Sequence, residues 1–440
     1  MPTPAHTLLR RAEDHAKPVA RWGVGHALPR VALQVAARRG DLQGRLAIQA
    51  STDADLTGLF DEIRSQGPVA SSRVGYVTTH HAAVKEILSS DAFQTIRSAP
   101  GNPLLAKVLA WSARSTLHPV EPPSLLVSEP PAHTRYRKLV TRVFTVRAVE
   151  QLRVRTQEIA DELLDGLDPS RPVDLIEAYC GLLPVTVISE ILGVPPGERE
   201  TILAFGRVAA PSLDLGLSWP VFRSVESTLA AFDAWLIRHL DTLRANPGDN
   251  LLSQLIAARE DGVGLTESEL KATAGLVLAA GFETTVNLLG NGIALLARHP
   301  EQLQELRERP ESWSNAVDEI LRYDPPVLLT GRTCVRDTEV QGVPVRRGAV
   351  VGTVLAGANR DPEIFDDPGA FSVTRPNARE HVSFGAGRHY CLGASLARME
   401  GEVGLRAIFE RFPDLRPLAG AHRRQTRILR GFEHLPTALI

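Results

Sequence analysis

Apolar residues recur at intervals of three and four over residues 145–166, 221–245, 266–298, 301–323 and 392–412, in stretches rich in good helix formers, and this spacing predicts helices. Strand-like pieces are short: Arg73–Thr78, Glu339–Val343 and Ala349–Val354, each bounded by Gly, Pro or charged turns. No internal repeat, low-complexity run or linker interrupts the order. The pattern predicts a mainly α architecture, a helix-rich body with small β-sheets, in a single domain over residues 1–440.

The stretch from Thr266 to Arg298 is the longest of these. Thr266 and Glu269 have the spacing of a capping box and Pro300 closes the far end, leaving about 33 helical residues, or about 50 Å at the standard rise. Such a helix crosses the whole body. In its middle, after the apolar run Leu276–Ala280, stand Gly281, Phe282, Glu283, Thr284 and Thr285. Glycine inside a helix costs about 1 kcal/mol relative to alanine, and a buried acid without partners costs more. Two readings follow: Gly281 opens a groove over a flat cofactor beside which Glu283 and Thr284 handle protons, or the helix is a kinked core element whose polar groups are satisfied by nearby backbone.

Near the C-terminus the chain runs Ser383, Phe384, Gly385, Ala386, Gly387, Arg388, His389, Tyr390, Cys391, Leu392, Gly393, placing one thiol just before a helical run that Pro413 ends. A helix N-terminus favours a thiolate, the competent metal ligand, and the glycines let backbone lie flat against something bulky. The plain alternative is a buried structural cysteine in a glycine-rich turn.

Composition narrows the field. The 440 residues are 43% hydrophobic and 23% charged, ordinary for a globular protein with a deep core. A net charge of −2 without a basic stripe argues against nucleic-acid binding. Cys180, Cys334 and Cys391 are odd in number and far apart, so no disulfide framework is implied and a cytoplasmic setting fits. The longest obviously apolar run, Gly275–Phe282, is far short of a membrane span, so no stable membrane insertion is expected. Residues 1–50 form a basic leader, with eight Lys and Arg against three Asp and Glu, expected to pack on the body.

The order Phe-Gly-x-Gly-x-His-x-Cys-x-Gly, met by Phe384, Gly385, Gly387, His389, Cys391 and Gly393, resembles the haem-binding loop of cytochromes P450. The segment Ala280–Thr285 is similar to the acid and alcohol pair on that family's long central helix, and Glu319, Arg322, Tyr323, Asp324, Pro325 and Pro326 match its Glu-x-x-Arg helix. Residues 38–43 and 279–292 resemble an actinobacterial, mycobacterial group of these proteins. The resemblance implies a P450 fold around haem b, with Cys391 as the iron ligand and Phe384, Gly385, Gly393 and Gly281 against the cofactor. It implies His133, Arg137, Arg332 and His389 as holders of the two propionates, which call for cationic or hydrogen-bonding partners. Thr284 would hold dioxygen and Glu283 feed protons, while Glu319, Arg322 and Arg375 would form a structural network. On spacing alone, Glu319 and Arg322 read equally as a surface ion pair worth at most about 1 kcal/mol.

The implied reaction inserts one oxygen atom from O2 into a hydrophobic small molecule, of lipid, terpenoid or polyketide type. With no flavin or iron–sulfur motif in the chain, a ferredoxin and ferredoxin reductase would supply electrons, docking at Arg388 and Arg398, to a monomer. Val277, Ala280, Val327 and Leu328 are the candidate pocket lining, and the segment 208–220 the cover over it. A non-catalytic haem-thiolate sensor would keep Cys391 and the propionate partners but has no need of Glu283 with Thr284.

Overall fold

The computed structural model describes residues 15–96, 103–114, 116–141, 146–259 and 262–440. Residues 1–14 of the basic leader and residue 145 of the first helical stretch lie outside the described residues. Helices dominate: α1 (Leu28–Arg38), α2 (Ala132–Thr141), α3 (Leu182–Leu192), α4 (Arg199–Ala209), α5 (Trp219–Ala245), α6 (Glu267–Arg298), α7 (Pro300–Glu308), α8 (Trp313–Tyr323) and α9 (Ala394–Arg411) carry the argument below. The stretch expected as one helix over 301–323 is broken between α7 and α8, where Pro310 cannot donate a backbone hydrogen bond and a short 3-10 turn, Pro310–Ser312, intervenes.

α6 begins with the expected capping box: the Glu269 amide donates to Thr266 Oγ1 and the Thr266 amide to the Glu269 carboxylate. By length and composition it is the one described helix that could cross a membrane, but 67% of its apolar window is buried in the body. Its neighbours α3, α4, α5, α8 and α9 supply that cover, with Leu278, Phe282, Val286 and Leu289 in one core with Leu183, Ile188, Ile320 and Leu405. Small residues set the close approaches. A side chain at Gly206 of α4 would overlap the Phe282 ring, and one at Gly275 would meet Leu117 and Leu236.

Seven short strands matter to the site: β1 (Ala70–Ser72), β2 (Gly75–Thr78), β3 (Phe93–Thr95), β4 (Thr330–Cys334), β5 (Thr338–Val340), β6 (Val343–Val345) and β7 (Val350–Thr353). Five form a mixed sheet in the order β1-β2-β7-β4-β3, in which Arg332 of β4 pairs with Thr95 on one side and Val351 on the other. The run Glu339–Val343, expected as one strand, is a hairpin: Gln341 and Gly342 both take positive φ, 47° and 77°, and reverse the chain between β5 and β6.

The described part of the leader packs on the body. Trp22 Nε1 donates to Leu217 O at 2.9 Å, the Leu217 amide donates to His26 Nδ1 at 3.3 Å, and Arg21 Nε donates to Ser112 O at 2.8 Å.

Candidate functional site

The bend before α9 is tied down on the side away from the thiol. Asn359 accepts the Val382 amide at 2.8 Å and donates to Ser383 Oγ at 2.7 Å, and Ser383 Oγ donates to Leu321 O at 2.6 Å. Gly385 and Gly387 then turn with φ of 71° and 66°, and a Cβ on Gly387 would lie 2.4 Å from Leu88 O, so no other residue fits there. The Cys391 amide donates to Phe384 O at 2.9 Å, which places the thiol just ahead of Gly393, the cap of α9. Among the described residues, nothing beyond its own chain neighbours lies within 4 Å of where a Gly393 side chain would stand.

Cys391 has exposed surface, yet burial among surrounding atoms is the largest influence on its thiol and raises its pKa. The Gly393 amide, Arg137 and Arg398 act in the opposite sense and favour a thiolate. A bound metal deprotonates such a thiol outright. The other cysteines offer nothing comparable: Cys180 is fully buried, and Cys334 is buried with its Sγ donating to Arg336 O at 2.9 Å. Behind the bend, Arg398 stacks over the Phe384 ring at 4.6 Å and pairs with Asp318 at 2.7 Å. Burial pushes the Asp318 carboxyl up, but hydrogen bonds from His381 and Arg398 outweigh it and hold the pKa at about 2.

One side of the central turn of α6 is open. Leu278, Phe282 and Thr285 are buried, whereas Ala280 is exposed and Val277 and Thr284 are half-buried; these three share a face at i, i+3 and i+7. Thr284 Oγ1 donates to Ala280 O at 3.2 Å, back along the helix. Half-buried Gly281, at i+4 from Val277, borders this face. A Cβ there would lie 2.9 Å from Ile188 Cγ1, so the glycine also sets the close packing of α6 on α3. Leu328, only 2% exposed, packs in a separate core with Leu46, Leu56 and Leu59, while half-buried Val327 bridges Leu429.

The four basic residues converge. The His133 and His389 rings lie 4.4 Å apart, and Nε2 of each has no hydrogen-bond partner among the described residues. Buried Arg332 donates only to Thr330 Oγ1 at 3.3 Å and to Gly331 O at 2.8 Å, and burial lowers its pKa to about 10. Arg137 donates to Tyr390 O at 2.7 Å. No carboxylate lies within ion-pair distance of either guanidinium among the described residues. Burial, then His133 and Arg332, bring His389 down to about 4. Glu129, 3.7 Å from His389 Nε2, is the carboxylate of this cluster, and two guanidiniums and two imidazoles gathered around it near the thiol are the donor set that a haem and its propionates need.

Glu319 and Arg322 are fully buried, which removes the surface-pair reading. All five guanidinium N–H groups of Arg322 are used: Glu319 Oε2 and Oε1 at 2.6 and 2.8 Å, and the carbonyls of Asn359, Pro368 and Ala370 at 3.1, 3.0 and 2.8 Å. Arg375 joins at 3.2 Å from Glu319 Oε1. Buried Glu283 pairs with Arg424, and its Oε2 has no partner among the described residues. Neither Arg424 nor Glu129, which accepts from Thr95 and Arg388 beside the basic cluster, stood out in the sequence. Each is one charge among many, and only the fold brings it to the site.

A family model described as Cytochrome P450 matches residues 218–311 and 313–420. The cytochrome P450 140 of Mycobacterium tuberculosis is 49% identical over 426 residues, covering 95% of this chain and 97% of that protein. The chain belongs to the cytochrome P450 family. It is a monooxygenase whose cofactor is haem, with iron and an axial cysteine thiolate, working with redox partners on hydrophobic substrates and O2. The polyketide biosynthesis cytochrome P450 PksS of Bacillus subtilis is 35% identical over 319 residues, 72% of this chain and 77% of its own. The ligand-free crystal structure of CYP164A2 from Mycobacterium smegmatis superposes with a TM-score of 0.80 at 33% identity, covering 90% of this chain and 99% of that one. Of the two arginines expected at the docking surface, Arg388 is engaged by Asp91 and Glu129, and Arg398 by Asp318. The cleft beside the bend, about 580 Å³, is lined by His133, Thr134, Arg137, Lys138, Thr141, Gly387 and Arg388.

Proposed function

We propose that this chain is a haem-thiolate monooxygenase for a hydrophobic small molecule of polyketide type, with Cys391 as the axial ligand and a ferredoxin and its reductase as the source of electrons. The observation that carries the reading is the accessible thiol of Cys391 near four basic groups, with no carboxylate paired to Arg137 or Arg332 among the described residues. Bound haem supplies the activation of O2 that inserts one oxygen atom into a C–H or C=C bond and releases the other as water. His133, Arg137, Arg332 and His389 hold its propionates, and Phe384 and the Gly385–Gly393 bend shield the sulfur. Thr284 offers a hydroxyl on the open face of α6, and its bond to Ala280 O is the local interaction it gives up when it donates to O2. Glu283, one residue earlier, has an unpartnered oxygen with which to pass protons toward that hydroxyl.

The apolar open face, Val277 with Ala280, and the apolar Val327 support a hydrophobic substrate. The polyketide class rests on the relation to PksS. The positive charge of Lys138 and Arg388 in the lining of the cleft by the bend supports this face as the one an acidic ferredoxin docks on. The chain works as one domain in the cytoplasm. The deciding experiment follows the ferric spin-state shift of the holoenzyme across polyketide, terpenoid, steroid and fatty-acid panels. Selective shifts by polyketides are expected, and shifts confined to another panel would refute that class.

A further inference from the structure

The C-terminal strap Arg423–Gly431 lies along one face of α6. Its base is clamped: Asn291 Nδ2 donates to Arg430 O at 3.2 Å, Arg423 donates to Asn291 Oδ1 at 3.2 Å and to Asp324, and Arg430 pairs with Asp324 at 3.5 Å. One turn back, the backbone of Gly431 is pressed on Asn287, so closely that a Cβ there would overlap the amide. One further turn back is Glu283, held by Arg424. Residues 283, 287 and 291 stand at i, i+4 and i+8, so the strap tracks a single stripe of the helix, adjacent to the open face with Thr284.

The other side of the strap holds the segment after α4. Asp214 accepts the amides of Arg427 and Ile428 at 2.9 and 3.0 Å, and Arg427 Nη1 donates to Leu215 O at 2.7 Å. α4 itself crosses α6 at Gly206 and Phe282, one residue from Glu283. The strap also pairs with the segment after α8, since the Leu328 amide donates to Ile428 O and the Arg430 amide to Pro326 O, both at 2.8 Å. One nine-residue piece thus touches the relay acid, the 326–328 segment and the segment 210–217.

We infer that Arg424 is a positioning residue for Glu283, and that Asp214, by latching the strap, makes the placement of Glu283 depend on where the 210–217 segment sits. The inference rests on the reading of Glu283 as the proton-relay acid. While the latch is closed, Arg424 keeps one carboxylate oxygen of Glu283 occupied and the other free. Release of Asp214 lets the strap and Arg424 withdraw, leaving a buried carboxylate without its cation, which then takes up a proton. Substrate that reseats the 210–217 segment therefore reaches the proton path without touching Glu283. The pairing itself rests on the contact: Arg424 Nη1 donates to Glu283 Oε1 inside the body, where both side chains are largely shielded from water.

The test uses the holoenzyme at pH 7.5. Infrared difference spectra should show a protonated-carboxyl band in Arg424→Gln that is absent from the wild type, absent from Arg424→Gln/Glu283→Gln and suppressed in Arg424→Lys. Asp214→Ala should show the same band with faster amide exchange over residues 424–428. No band in Arg424→Gln overturns the positioning role, and wild-type spectra and exchange in Asp214→Ala overturn the latch. Separately, peroxide formed per NADH is measured without substrate, using a surrogate ferredoxin and reductase. Glu283→Gln and Arg424→Gln should each raise it by on the order of tenfold, within the usual range for loss of a proton-transfer group. An unchanged Glu283→Gln refutes the relay reading itself, with the infrared result still deciding the positioning; a change in Glu283→Gln but not in Arg424→Gln refutes the positioning.

Discussion

Replacing Arg322 by Met tests whether the buried network supports the ligand bend or only fills space. Met keeps much of the volume and removes the guanidinium. What remains is Glu319, fully buried, facing Arg375 at 3.2 Å and the Ser372 amide at 2.9 Å, while the Asn359 and Pro368 carbonyls lose their Arg322 donor. Breaking a buried pair by removing one partner costs about 3–5 kcal/mol, and each orphaned carbonyl about 1–3 kcal/mol more. Arg375 and relaxation offset part of this, so we expect a net loss of about 4 kcal/mol. The exposed pair Arg406–Glu410 is the control: Arg406→Met should cost under about 0.5 kcal/mol. The assay is urea unfolding of the holoenzyme, with the fraction of haem retained followed alongside. Because Asn359 also anchors Val382 and Ser383 at the start of the bend, Arg322→Met should lose haem at lower urea than it loses helix. A shift below about 1 kcal/mol, or haem release coincident with global unfolding as in the control, would refute the reasoning.

Other substitutions probe single contacts. Cys391→Ala should abolish the thiolate-type spectrum of the reduced carbonyl complex, and an unchanged spectrum would remove Cys391 as the ligand. Gly281→Ala should lower the thermal midpoint by crowding Ile188 while leaving haem content unchanged; loss of haem at unchanged stability would favour the groove reading. Gly206→Ala, which drives a Cβ into the Phe282 ring, should cost about 1–3 kcal/mol in the same melt, and a neutral effect would contradict the α4–α6 packing. Burial raises the Asp214 carboxyl from 3.8 to about 6, against the pull of the Arg427 and Ile428 amides, so the folded state binds that proton more tightly than the unfolded chain does. The cost of ionising it is complete above about pH 6 and is relieved as pH falls toward 4. Asp214→Asn should therefore be more stable than wild type at pH 7.5, by up to about 3 kcal/mol, with the gap closing by pH 4. A gap independent of pH would show that Asp214 is not the titrating group.

Local signals placed the elements wherever a side chain speaks for its own neighbourhood. The ends of α6 were legible because Thr266 and Glu269 cap each other and Pro300 forbids continuation. The Cys391 bend was legible because glycines at positive φ cannot be replaced without leaving a gap in the pattern. Periodicity misjudged residues 301–323 and 339–343 for the same reason: a stop signal inside an apolar rhythm, Pro310 in one and Gln341–Gly342 in the other, is outvoted when residues are averaged over a window. The packing of Gly281 was not legible. Glu283 and Thr284 follow it closely in sequence, but a glycine's contacts are set by what lies where its side chain would be, and Ile188 is 93 positions away.

The same distinction separates the chemistry from its control. Cys391 and Thr284 stand out because each must be one residue type to do its task, a soft ligand and a hydroxyl on an open helix face, whereas the basic residues were legible only as a set in the order the family resemblance implies. Arg424 has no such mark: it sits 141 positions from Glu283 among several arginines, and any cation delivered to that point would satisfy the acid. What specifies it is the route of the strap, fixed by Asp324, Asn291 and Asp214 together. A reaction type can therefore be read from a handful of residues, whereas the conditions under which it runs are written in the contacts between segments that are remote in sequence.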